Sequence, residues 1–116
     1  MRLPGRMAAA IEVLEIINEQ KRPVSLALRD WGQAHRFAGS RDRAAIGNLV
    51  YDVMRKRSSL GFVMQSDEPR ALVISLVVRE WGEDVEQLNS AFALDRFAPD
   101  QLSEVELELL KASESL

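Results

Sequence analysis

Arg36, Arg41, Arg43, Arg55, Lys56 and Arg57 are the residues whose type and spacing carry the clearest chemistry in this chain. They lie in HRFAGSRDRAAIGNLVYDVMRKRSSL, His35 to Leu60, an arginine-rich loop feeding a helix that ends in three consecutive cations. Only Asp42 and Asp52 oppose them between Arg36 and Arg57, a local balance of +4 in a chain of formal charge −3, so everything outside the segment sums to −7. An acidic protein that gathers its positive charge in one loop and helix separates its field, and a separated basic patch points to a polyanionic partner more strongly than overall charge does. RNA is the first candidate, met through phosphate contacts.

Other chemistry is excluded by inventory. There is no cysteine, so disulfides, thiolate metal sites and cysteine nucleophiles cannot arise, and the single histidine, His35, rules out a histidine-based metal site or triad. Gly32, Gly39, Gly47, Gly61 and Gly82 are too scattered for a loop that cradles a phosphate or cofactor. Asp42 and Asp52 are ten residues apart on one helix, about 15 Å, too far to work as an acid pair. The first apolar run is interrupted by Glu12 and Glu15, with no cleavage pattern after it, so no secretory signal is read. The longest apolar stretch, Ala71 to Val78 with only Ser75 polar, falls far below the ~20 residues that cross a bilayer, and a cytoplasmic location is expected.

The elements that must hold the basic residues are helical by periodicity. A chain of 116 residues, 47% hydrophobic and 28% charged, is expected to form one globular domain, residues 1–116. Met7, Ala10, Ile11, Leu14 and Ile17 recur at helical spacing from Pro4 to Glu19, ended by Lys21-Arg22-Pro23. A second helix runs to Gly32 or His35, burying Val24, Leu26 or Ala27, Leu28 and Trp31. Ser40 or Asp42 is the candidate cap of the third. There Ile46, Leu49, Val50, Val53 and Met54 form the apolar stripe, while Arg41, Asn48, Asp52 and Arg55 return to one opposite face. The segment Ser66 to Arg70 reads as a helix start, with Ser66 a capping candidate, for ALVISLVV. That run is rich in β-branched residues, but with caps at both ends and continuation to Gly82 it is assigned as the central helix. Two shorter helices follow, about 83 to 93 and 99 to 112, the last opened by Pro99 and Asp100. The fold class is therefore all-α, a bundle of about five to seven helices, without internal repeat.

Several side chains have competing readings. Arg43 either bridges Asp30 or a neighbouring acid, or meets phosphate; Arg36, Arg41, Arg55 and Lys56 have the better claim to phosphate. Tyr51 is read as core at the edge of its helix's apolar face, ahead of a base-stacking role. His35 is read as a helix-end residue near carbonyls, and Trp31 and Trp81 as core anchors. Residues 83 to 116 hold nine Asp/Glu against Arg96 and Lys111. That tail is read as a solvated helix face with Leu102, Val105, Leu109 and Leu110 as a narrow stripe, ahead of a partner for the basic patch or a docking strip.

Asp42-Arg43-Ala44, then Leu49-Val50-Tyr51, then Arg55 resemble the DRA and LVYGVLR signature of NusB-like domains, in particular the N-terminal domain of bacterial Sun-type RNA 5-methylcytosine methyltransferases. Pro69-Arg70-Ala71-Leu72 looks like that family's second core helix, and the matching helices cover about residues 5 to 95. Asp52 stands where the family usually has glycine. The resemblance implies an all-helical NusB-like RNA-binding domain that positions ribosomal RNA for a methyltransferase domain of the same polypeptide. That domain, with its S-adenosylmethionine and paired cysteines, is not in this chain, which reads as an N-terminal piece without cofactor, metal or catalysis of its own. The alternative is a domain that docks on its catalytic domain or on an antitermination-type partner through apolar residues such as Phe62, Val63 or Phe97.

Overall fold

A computed structural model describes residues 1–114. Among them the chain is all helical: α1 (Leu3–Gln20), α2 (Val24–Ala34), α3 (Ser40–Arg55), α4 (Arg57–Met64), α5 (Pro69–Ser75), continued by a π-helical turn (Leu76–Glu80), α6 (Val85–Leu94) and α7 (Glu104–Ser113). The buried side chains form one cluster, with α5 and its π turn at the centre: Ala71 to Val78 are all buried. This is the position expected of a helix apolar on every side, since only neighbours on all faces satisfy it. Around it α1 packs on α3 and α5, α4 lies between α5 and α7, α2 flanks α1 and α3, and α6 lies against α1.

Local chemistry sets the boundaries. Pro4 sits in the first turn of α1, where its missing N–H costs nothing, and Lys21 ends the helix in the left-handed region at φ 53°. The indole of Trp31 joins α2 to α1, buried to 4% exposure and donating from Nε1 to Glu12 Oε2 at 2.8 Å. Neither Ser40 nor Asp42 caps α3; Gly39 occupies the cap without a side-chain bond. Asp42 lies within the first turn, accepting from Arg6 Nε at 3.0 Å and from the Met1 amine at 3.2 Å, and so ties the start of α3 to the start of α1.

The triple cation does not end one helix. At Lys56 the backbone turns to φ −116°, ψ 19°, and Arg57 begins α4, an element that the sequence reading leaves unassigned. Ser58, Ser59 and Gly61 give α4 poor intrinsic propensity. Tertiary packing compensates: Leu60 and Met64 are buried, and at Gly61 a Cβ would stand 3.2 Å from the Ser66 carbonyl, so helix and following loop meet there without a side chain between them. Ser66 accepts from the Glu68 N–H but does not cap α5, whose N-cap is Glu68.

Trp81 is 41% exposed rather than a core anchor, because the π turn ends the buried run at Val78; its Nε1 reaches Asp52 Oδ2 at 3.3 Å. Gly82 then takes φ +77°, a conformation that suits glycine, and the Glu83 N–H closes onto the Val77 carbonyl. Among the described residues one buried side-chain polar atom has no partner: Ser75 Oγ, fully buried at the end of α5. Ser75→Ala removes that unmet hydroxyl and is expected to raise stability by about 1 kcal/mol, read from chemical denaturation.

The last helix starts later than Pro99. Ser103 and Glu106 form a reciprocal capping box, and residues 99 to 102 are irregular because their polar groups are taken elsewhere. Asn89 Oδ1 accepts from Leu102 N at 2.8 Å, and Arg70 donates to the Asp100 and Gln101 carbonyls and, bidentate, to Glu106. Leu102 and Leu110 are buried, whereas Val105 is 64% exposed and does not belong to the stripe.

Burial by itself would raise the Asp42 carboxyl, but hydrogen bonds from Arg6 and the terminal amine outweigh it and hold the group below its ordinary 3.8. At Glu106 burial again acts upward and is outweighed by Arg70 and Ser103, leaving it below 4.5. Both groups are more acidic folded than unfolded, so their stabilisation is fully present above about pH 5 and is lost as pH falls through the ordinary and then the depressed values. The melting temperature is accordingly expected to be flat from neutrality to about pH 5 and to fall below it, with a shallower fall in Arg70→Met, where Glu106 has lost its partner.

Candidate nucleic-acid interface

The six cations do not form a single patch. Arg36 projects from the α2–α3 turn, and Arg41 and Arg43 from the first turn of α3; all three are exposed. Arg55, Lys56 and Arg57 lie at the other end of α3, fourteen residues from Arg41 to Arg55, about 21 Å along the axis. Helix α3 is thus a bar with a cationic group at each end, and the even face expected from Arg41 to Arg55 resolves into two poles.

The poles differ in what opposes them. Arg55 is ion-paired with Asp52, and Lys56 Nζ lies 3.2 Å from Glu80 Oε2. Arg57 lines a cleft with Lys21, Asp67 and Glu68, so its field is shared with two acids. At the first pole Asp30, the expected partner of Arg43, is taken by Arg22 and Arg29 instead. Asp42 is occupied by Arg6 and the terminal amine. Among the described residues Arg36, Arg41 and Arg43 form no ion pair, and the positive field of the segment is least compensated there. The stem of Arg43 lies along Gly32, whose absent Cβ would meet Arg43 Cδ at 3.1 Å, and Gly32, Gln33, Arg36, Ala38 and Arg43 together line a shallow depression.

Beside this pole runs a column of rings that the sequence reading did not assemble. His35 stacks on Trp31 with centroids 4.2 Å apart, and its Nδ1 lies 2.8 Å from the Trp31 carbonyl, the helix-end position expected for it. Phe37 meets His35 edge-on at 5.9 Å, and beyond it stands Phe97, 6.5 Å away and within 22° of parallel. Phe37 and Phe97 are 65% and 52% exposed. Tyr51 is 44% exposed, one helical step off the stripe that Ile46, Leu49, Val50 and Val53 already fill, so its assignment to the core does not hold.

Among the described residues the acidic tail forms no ion pair with the six cations; Glu106 pairs with Arg70 instead. A second exposed apolar area lies between α4 and α7, where Phe62, Val63, Leu109 and Ala112 line a groove. Among the described residues no group of three or more His, Cys, Asp or Glu could hold a metal ion, and no helix is long and apolar enough to cross a membrane. Compared with family models, with curated proteins and with solved structures, the chain matches none.

Proposed function

We propose that this chain is an RNA-binding module whose α2–α3 turn and α3 N-terminus grip phosphates, and that, as its resemblance to NusB-like domains implies, it positions ribosomal RNA for a cytosine-5 methyltransferase domain elsewhere in the polypeptide. The observation that carries the reading is the uncompensated group Arg36, Arg41 and Arg43, three exposed guanidiniums without an acidic partner among the described residues of an acidic chain. Guanidinium forks match phosphate oxygens in pairs, and such contacts fix register while leaving sequence choice to shape or to the catalytic domain. Arg55, Lys56 and Arg57 extend the footprint to a second strand segment about 21 Å away, in competition with Asp52, Glu80 and the acids beside Arg57. With no thiol the chain supplies no nucleophile for the pyrimidine ring, and S-adenosylmethionine belongs to the absent domain.

Fluorescence anisotropy with ribosomal RNA fragments over a salt series tests the reading. Three to six phosphate contacts give a slope of log affinity against log salt of roughly −2 to −5. A flat salt profile, or no association at 20 mM salt, would sink it. The second reading, docking on another protein domain, is favoured by one observation: Phe62 is 73% exposed above the groove between α4 and α7. Phe62→Ser is expected to leave RNA affinity unchanged and to weaken only a protein contact.

A further inference from the structure

The tripeptide Arg-Phe-Ala occurs twice, at 36–38 and at 96–98, sixty residues apart and too short to make an internal repeat. The two copies fold alike. Each follows directly on a helix, α2 or α6, whose last N–H bond closes on the fourth residue back: His35 N to the Trp31 carbonyl, Asp95 N to the Ala91 carbonyl. In each, the alanine N–H returns to the residue before the arginine, Ala38 to His35 and Ala98 to Asp95, making the same tight turn. Each turn thereby pushes its arginine and phenylalanine outward and its alanine inward; Ala38 is 3% exposed. The fold brings the two turns face to face, and Phe37 and Phe97 are the stacked pair at their junction.

We propose that these twin turns form a clamp for one unpaired RNA base, with Phe37 and Phe97 as the stacking surface and Arg36 and Arg96 on its flanks for the adjoining phosphates. The inference rests on the RNA-binding reading and names the part of the RNA that this end of the molecule takes. Four features select a base over an aliphatic partner. At 6.5 Å the rings are less closed on each other than the 4.2 Å stack of Trp31 and His35, and with Phe37 65% and Phe97 52% exposed, ring surface is left for a base, most of it on Phe37. Cations border them: Arg96 lies over the Phe97 ring at 4.8 Å, and Arg2 and Arg96 line the same groove as Phe97. Asp95, the acid that lines this groove with them, accepts from the Phe97 N–H at 2.8 Å. Each ring already has a neighbour that restricts it, Phe37 the edge of His35 and Phe97 the face of Phe37, so part of the side-chain freedom is spent before a base stacks. A planar π-surface next to an anionic backbone is the ligand such a cationic, aromatic pocket recognises.

The test titrates the chain with a fluorescent single-stranded RNA ten-mer, with the same ten-mer carrying abasic riboses, and with its duplex. Stacking of one base predicts that the abasic strand and the duplex bind more weakly than the single strand. Phe37→Ala and Phe97→Ala are each expected to weaken single-strand binding by about 5- to 150-fold, with the salt slope unchanged because no counterion is released at a ring. Tryptophan at either position restores affinity. Alanine keeps the Cβ that approaches Gly5, and melting curves of the variants guard against a loss that is only unfolding. Equal affinity for intact and abasic strands, or alanine variants that bind as the parent does, overturns the clamp while leaving the phosphate reading intact. Absence of binding to any of the three RNAs at low salt overturns both.

Discussion

Arg36→Glu combined with Arg43→Glu is expected to lower RNA affinity by on the order of 100-fold near 0.15 M salt and to shrink the salt slope by roughly 1.4 to 1.8, since each lost phosphate contact removes about 0.7 to 0.9. The size follows from position. Both side chains are exposed at the least compensated pole, neither is in an ion pair among the described residues, and reversal both removes attraction and adds repulsion. Folding should be almost unaffected, because exposed charges contribute little to stability. The matched control is Arg55→Glu with Lys56→Glu: their charges already face Asp52 and Glu80, so the loss of affinity should be several-fold smaller. Were the double reversal at Arg36 and Arg43 to bind RNA as the parent does, the pole would be a solvated surface and the Phe62 groove would become the leading candidate for the chain's contact.

Leu76→Ala is expected to cost about 2–5 kcal/mol, the range for truncating a large side chain in a packed core, and Leu49→Ala a similar amount. Leu76 is fully buried where α5 passes into its π turn, and Leu49 is 1% exposed in the stripe that α3 turns inward. At about 4 °C or more per kcal/mol for a chain of this size, either change should lower the melting temperature by roughly 8 °C or more. Val105→Ala is the contrast. It removes an apolar side chain at helical spacing with Leu102 and Leu109, yet Val105 is 64% exposed, so denaturation should register a change below about 0.5 kcal/mol. A large effect at Val105, or one below 1 kcal/mol at Leu76, would mean that the burial pattern around α7 or α5 is wrong.

What the sequence determined by itself was whatever depends on near neighbours along the chain. Periodicity marked α1, α2 and α3, because a 3.6-residue repeat of apolar side chains needs no knowledge of the partner surface. Gly82, Pro4, Pro23 and Pro69 marked boundaries through their backbone geometry, whereas Pro99 did not. For ALVISLVV the β-branched composition argued for a strand; length and caps outweighed it, and the buried environment on every side makes that outcome stable. The six cations, too, were legible as a group. Tertiary structure decided the rest. Helix α4 forms from weak helix residues because α5 and α7 cover Leu60 and Met64, an energy invisible in its own eight residues. The start of α7 moved from Pro99 to Ser103 because Arg70 and Asn89, distant in sequence, claim the intervening backbone. Which arginines keep their charge free depended on where Asp30, Asp52 and Glu80 fell. The two Arg-Phe-Ala turns, sixty residues apart, become a stacked pair only because the bundle brings the ends of α2 and α6 together, and no local pattern specifies that meeting.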